Sequence, residues 1–102
     1  MQTALRKRID ILADAPLVPS IVAAFDAAGI SGHTVFPALS GAGHTGSWSE
    51  ERLTAAESKR LVMAITSAES ADALIEALAP LLDSHRLLLT VSLVDVVRGD
   101  RF

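Results

Sequence analysis

Gly41, Gly43 and Gly46 stand in the stretch VFPALSGAGHTGSW at the spacing G-x-G-x-x-G, behind an apolar run that could be a strand. That spacing suits phosphate, because glycines let the backbone approach an anion and leave N–H groups free to form an anion-binding nest. In a dinucleotide-binding unit, however, the glycines lead straight into a helix whose N-terminus faces the pyrophosphate. Here Ser47, Trp48 and Ser49 continue the loop, and Pro37 marks the preceding strand as an edge strand rather than a buried central one. A chain of 102 residues is also short for a complete doubly wound nucleotide fold. Two readings remain, an anion nest or a hairpin-like loop whose glycines only supply positive φ angles.

Cations that could meet such an anion lie at the end of the chain, where Arg98 and Arg101 can make bidentate, charge-assisted contacts to phosphate. The plainer account is a solvated charge cluster. Trp48, the single tryptophan, lies in a polar loop where it could anchor the loop, dock on a partner or simply pack. Lys7, Arg8, Lys59 and Arg60 could line a cleft or, more plainly, form interstrand ion pairs with Asp10 or Asp95. No metal site is expected, since His33, His44 and His85 have no ligand spacing and the chain has no cysteine. Serines are plentiful but no nucleophile elbow or base accompanies them, so no catalytic residue is assigned and the chain is not read as an enzyme.

Composition narrows the partners. The net charge of −3 gives no footprint for a nucleic acid, and aromatics at 4% argue against base-stacking platforms. A small anion remains possible. The first residues are polar and charged, and no apolar run is long enough to span a bilayer, so a cytoplasmic protein with no membrane insertion is the expectation.

The elements that must position these residues follow from periodicity. From Ala4 to Leu12, Leu5, Ile9 and Ile11 alternate with Arg6, Arg8 and Asp10, the pattern of a half-buried strand that Lys7 interrupts. A helix from about Leu17 to Ala28 places Val18, Ile21, Val22, Phe25 and Ala28 on one face and stops at Gly29. A second strand, His33 to Leu39, carries Pro37 at an edge, and Ser40 to Ser49 reads as a loop. A strand follows over about Lys59 to Thr66, preceded by a short helical turn after Ser49. Thr66 with Glu69 makes a capping box for a helix carrying Ala71, Leu74, Ile75, Leu78 and Leu82, which Pro80 should bend or end early. From Arg86 to Val97 both alternating faces are apolar, so a face left bare by the helices needs a partner, and oligomerisation is the economical one. The order β-α-β-β-α-β is an α+β, ferredoxin-like antiparallel sheet with two helices on one face, in one domain over 1–102.

GHTVFPALSGAGHTG resembles the strand-to-T-loop region of PII-type signalling proteins, through Gly32, Thr34, Val35, Gly41 and Gly43, and VDVVRGDRF resembles their arginine-bearing last segment. Pro37, Leu39, Trp48, Arg98, Arg101 and Phe102 are similar to the pattern of the PII-like branch associated with carboxysomes and bicarbonate uptake. The resemblance implies a homotrimer with an adenine nucleotide in each cleft between subunits, ADP or AMP with bicarbonate, and a T-loop equivalent at about 40–54. It implies nucleotide contacts by Thr34, Gly41, Gly43, Arg98 and Arg101, although Thr34 could instead cap its strand; His44, from its place in the loop, could contact phosphate or bicarbonate or simply be solvated, and Trp48 could contact a partner. It also implies a protein target such as a bicarbonate transporter or carboxysome component. A ligand-free interaction module of the same fold is the alternative. Departures bear on the ligand. There is no tyrosine to modify, and LLDSHRLL replaces the Gly- and Lys-rich loop that wraps a triphosphate, which favours ADP or AMP over ATP. Arg98 and Arg101 are three apart where the family has a two-residue step, so Arg101 need not repeat its counterpart's contact.

Overall fold

The computed structural model describes residues 1–43, 46–49 and 58–101. Among the described residues, six strands and two helices follow one another as β1 (Thr3–Asp14), α1 (Val18–Ala27), β2 (Thr34–Ala38), β3 (Ser40–Gly43), β4 (Gly46–Ser49), β5 (Lys59–Thr66), α2 (Ala68–Ser84) and β6 (Leu88–Val97). Short 3₁₀ turns precede α1 at Ala15–Leu17 and follow β6 at Gly99–Arg101. The main sheet runs β2-β5-β1-β6 with every neighbouring pair antiparallel, and β3 and β4 form a separate two-stranded hairpin. Without the hairpin this is the β-α-β-β-α-β order expected, with the edge strands at β2 and β6.

Register explains which face is covered. Residues directly opposite one another in an antiparallel pair share a face. Ile9 faces Ala64 and Val91, and Ile11 faces Val62 and Leu89, so these belong to one side. Against that side lie Ile21, Ala24 and Phe25 of α1 and Ala71, Leu74 and Leu78 of α2, all buried. Burial of a side chain of this size contributes roughly 1.5–3 kcal/mol, so these few Ile, Leu and Phe residues hold both helices on the sheet. Gly29, at φ 78°, ends α1 in a conformation that L side chains rarely adopt, and Ile30 turns back to close the core against Phe25. His33 is explained here as well, its ring edge-on to Phe25 at 5.8 Å.

The opposite face carries Arg6, Arg8, Asp10 and Leu12 of β1, Leu61, Met63 and Ile65 of β5, Thr34 and Phe36 of β2, and Leu88, Val94 and Val96 of β6. No described element covers it. Arg8 pairs with Asp10 along its own strand at 3.0 Å rather than across strands, and Lys59 pairs across strands with Asp14 rather than with Asp10 or Asp95. β6 differs from expectation in two respects. It starts at Leu88 rather than Arg86, and the helix layer shields only its first part, leaving Val91, Leu93 and Val97 exposed on the helix side.

Three further expectations are corrected. The segment from Ser40 to Ser49 is a hairpin, not a loop, because cross-strand pairing fixes it. Gly43 faces Gly46 across a two-residue connection, a spacing typical of hairpins, and alternation is invisible in residues with almost no side chain. The cap of α2 is Ser67, whose hydroxyl accepts from the Ser70 N–H at 3.1 Å, while Thr66 completes β5. Pro80 does not end α2 early, since it lies within the helix, which continues to Ser84. Pro80 and Glu76 are exposed, so water can satisfy the carbonyl that the missing donor frees, and Leu81 and Leu82 pack the last turn onto the core. The helical turn expected after Ser49 lies outside the described residues.

Candidate functional site

A cavity of about 620 Å³ opens where the hairpin, the end of β1 and the α2–β6 connection meet. Its volume is within the usual range for small-molecule sites. Gly41, Gly43 and Trp48 form the hairpin wall, Leu12 and Ala13 the floor, and Lys59, His85 and Arg86 supply polar and cationic groups. Leu39 alone separates β2 from β3, so the hairpin is carried directly by the edge strand and its position follows from the β2–β5 pairing.

Gly41 and Trp48 are opposite one another in the hairpin. A Cβ on Gly41 would stand 2.6 Å from Cζ2 and 2.9 Å from Cε2 of the indole, far inside contact distance. Glycine here makes room for an aromatic ring, which covers the otherwise bare backbone of β3. Gly43 has open space where its side chain would be. Trp48 is half-buried, so part of its ring faces solvent.

His85 follows α2 and has a defined hydrogen-bond geometry. Ser84 Oγ is 3.0 Å from the Pro80 carbonyl oxygen and 2.7 Å from His85 Nδ1. A carbonyl can only accept and a hydroxyl has one proton, so both contacts are satisfied when Ser84 donates to Pro80 and His85 donates from Nδ1. In the neutral ring this leaves Nε2 as an acceptor. Arg86 belongs to the same connection, and a cation just past a helix C-terminus is favoured by the helix dipole.

The C-terminal arginines lie elsewhere. Arg98 has φ 60°, unusual for a residue with a side chain and costing roughly 1–2 kcal/mol. Its N–H donates to the Gln2 carbonyl at 3.2 Å. Gly99 follows, buried against Ala4, where a Cβ would stand 2.4 Å from that of Ala4. Arg6 donates from Nη2 to the Gly99 carbonyl and from Nη1 to the Leu5 carbonyl, both at 2.8 Å. The backbone of Arg101 closes the 3₁₀ turn.

One protomer therefore brings Gly41, Gly43 and Trp48 together but does not bring Arg98 to them. Arg98 is at the level of Gln2, at the start of β1, and the cavity is at the level of Leu12, roughly 33 Å further along the strand at about 3.3 Å per residue. Thr34 opens β2 opposite Met63 and is not in the cavity wall. His44 and Phe102 lie outside the described residues. His85 and Arg86 were missed as site candidates in the sequence, because their segment reads as the absence of a glycine-rich loop. The available signal was a histidine and an arginine immediately after a helix end. Among the described residues no group of His, Asp or Glu is arranged to hold a metal.

Known proteins share this architecture over nearly the whole chain. The family model described as nitrogen regulatory protein P-II matches residues 6–101. CPII, a nitrogen regulatory PII-like protein from Thiomonas intermedia K12 whose structure was solved bound to ADP, AMP and bicarbonate, superposes with a TM-score of 0.88 at 22% identity, over 99% of this chain and 96% of that one. A candidate PII-like signaling protein from Thermus thermophilus superposes with a TM-score of 0.85 at 23% identity, over 100% and 99%. CutA from Synechococcus elongatus PCC7942, complexed with Bis-Tris, gives 0.67 at 13% identity, over 98% and 93%. At such identities the likeness establishes the fold. No curated protein matches the chain.

Proposed function

The chain belongs to the family of the nitrogen regulatory protein P-II, and we propose that it is a homotrimeric sensor that binds an adenine nucleotide, ADP or AMP, in the clefts between its subunits. PII proteins are regulatory rather than catalytic, and this chain is assigned no reaction. The observation that carries the reading is the cavity beside the hairpin, with Gly41 and Gly43 along one wall and Lys59, His85 and Arg86 around it. Such a site offers the cationic donors of Lys59 and Arg86 to a short phosphate chain. Because Arg98 and Arg101 belong to the other end of the sheet, they reach a nucleotide at this cavity only from a neighbouring copy. The uncovered sheet face, with Phe36, Leu61, Met63, Ile65, Val94 and Val96, supplies an apolar surface on which copies could assemble.

Thr34 is assigned to the nucleotide by family resemblance, and His44 and Trp48 to an anion or partner. Bicarbonate as a second ligand is supported by its presence in the Thiomonas protein. Residues 40–54, which include the β3–β4 hairpin, serve as the short T-loop equivalent, and a ligand in the cavity beside the hairpin favours a partner-competent surface. The partner belongs to inorganic-carbon or nitrogen metabolism, a bicarbonate transporter or carboxysome component in the first case, and the protein works in the cytoplasm. No described helix is long and apolar enough to cross a membrane.

Calorimetry with AMP, ADP and ATP, each with and without bicarbonate, tests the reading. ADP or AMP should bind more tightly than ATP, without turnover. Arg98→Ala should weaken ADP at least tenfold while leaving adenosine unchanged. No heat with any nucleotide would return the chain to a ligand-free interaction module of the same fold.

A further inference from the structure

We infer that Arg6 is the positioning residue of the C-terminal arginine turn: its guanidinium holds the Gly99 carbonyl and so sets the direction in which Arg98 leaves β6. The consequence for binding rests on the nucleotide reading above, whereas the contact itself does not. Arg6 is part-buried on the uncovered face of β1, and its two terminal nitrogens donate to two carbonyls, Leu5 on its own strand and Gly99 on the turn. Leu5 is fixed by the β1–β6 ladder opposite Asp95, so the guanidinium ties the turn that follows β6 to the paired part of the sheet.

The turn needs such a tie. A residue with a side chain at positive φ persists only where its surroundings over-determine it. Arg98, at φ 60°, has its own N–H on the Gln2 carbonyl, and the next residue is pressed on Ala4. Those two contacts fix where the turn starts. The Arg6 contact fixes the orientation of the Gly99–Asp100 peptide, one peptide beyond Arg98, and so the course of the turn that leaves Arg98. Lysine could not substitute fully, because an ammonium on a flexible stem lacks the planar fork that spans two carbonyls.

The test begins without ligand. Backbone relaxation of Arg98, Gly99 and Asp100 should give rigid order parameters near about 0.85 in the unsubstituted protein, and values below about 0.6 in Arg6→Ala, with β1 and β5 unchanged. Arg6→Lys should fall between the two, and it carries the test if Arg6→Ala does not fold. A turn as ordered in these variants as in the parent protein overturns the inference. ADP binding then supplies the functional arm. Arg6→Ala should weaken ADP about tenfold, and this loss should vanish in an Arg98→Ala background, as expected of residues acting through one another. Equal losses in both backgrounds would also overturn the positioning role. Failure of the parent protein to bind any nucleotide refutes the nucleotide reading alone, since relaxation still decides the role of Arg6.

Discussion

The indole of Trp48 lies across Gly41 in the β3–β4 hairpin, at a distance that leaves no room for even a methyl group on the glycine. This pair joins two features that look independent in the chain, a glycine suited to an anion nest and a tryptophan without an evident partner. Each accounts for the other. Trp48 covers the backbone of Gly41, and Gly41 must be glycine for the ring to lie there, whatever the cavity binds.

Gly41→Ala should therefore displace Trp48 rather than unfold the protein. The added Cβ would meet Cζ2 at 2.6 Å, and overpacking of this kind costs roughly 1–3 kcal/mol locally. The hairpin is separate from the four-stranded sheet, so the main core is untouched. Tryptophan emission, which reports a single residue, should move to longer wavelength while the main thermal transition stays within a few degrees. An unchanged emission maximum would show that the ring does not rest on Gly41 in solution.

Much of the fold was legible because its signals are long and periodic. Ile9 and Ile11 on β1, and Leu74 and Leu78 on α2, repeat at strand and helix spacing and are buried as that spacing requires. The hairpin was illegible because Ser40, Gly41, Ala42 and Gly43 carry too little side chain to show alternation. The cap of α2 was misplaced by one residue because Thr66 and Ser67 are both capping types, and only the reach of β5 decides between them. The site was legible in parts. Gly41, Gly43 and Trp48 meet, but His85 and Arg86 join them through the closing of the sheet end, which is a non-local event. That Arg98 lies at the far end follows from the antiparallel β1–β6 register, which spacing alone does not reveal.

Ser67→Ala should lower stability by about 1 kcal/mol, the usual cost of losing an N-cap side chain. Ser67 accepts from the Ser70 N–H at 3.1 Å, and the helix it starts carries buried Ala71, Leu74 and Leu78. Thr66→Val, by contrast, should cost less, since Thr66 is the last residue of β5. Urea unfolding of the two variants at one fixed protein concentration makes the comparison. A larger loss from Thr66→Val would contradict the assigned cap.

Met63→Lys tests what covers the second face of the sheet. Met63 is half-buried in β5, on the face that no described element covers, opposite Asp10 and Thr34. A charge there is tolerated in a separate protomer, where it reaches water, but is costly between packed subunits. Sedimentation should show the proposed trimer giving way to smaller species in Met63→Lys, with the circular dichroism of a folded chain retained. A trimer equally stable in this variant would place the assembly surface elsewhere.

Gly99→Ala should disturb the C-terminal turn, and a second substitution should relieve it. The new methyl would stand 2.4 Å from Cβ of Ala4, which is held in the sheet opposite Val96 of β6 and whose own methyl cannot retreat as a flexible side chain could. The turn must move instead, taking Arg98 with it. On the nucleotide reading, ADP affinity should fall by about tenfold, with adenosine unaffected, because the proposed phosphate contact of Arg98 is the one that depends on that direction. Removing the opposing methyl with Ala4→Gly restores the space, so the double variant Ala4→Gly/Gly99→Ala should recover most of the lost affinity. Ala4→Gly alone should cost no more than about 1 kcal/mol of stability, the usual penalty of glycine in a strand, and leave binding intact. If the double variant binds no better than Gly99→Ala, close packing against Ala4 is not what orients the turn.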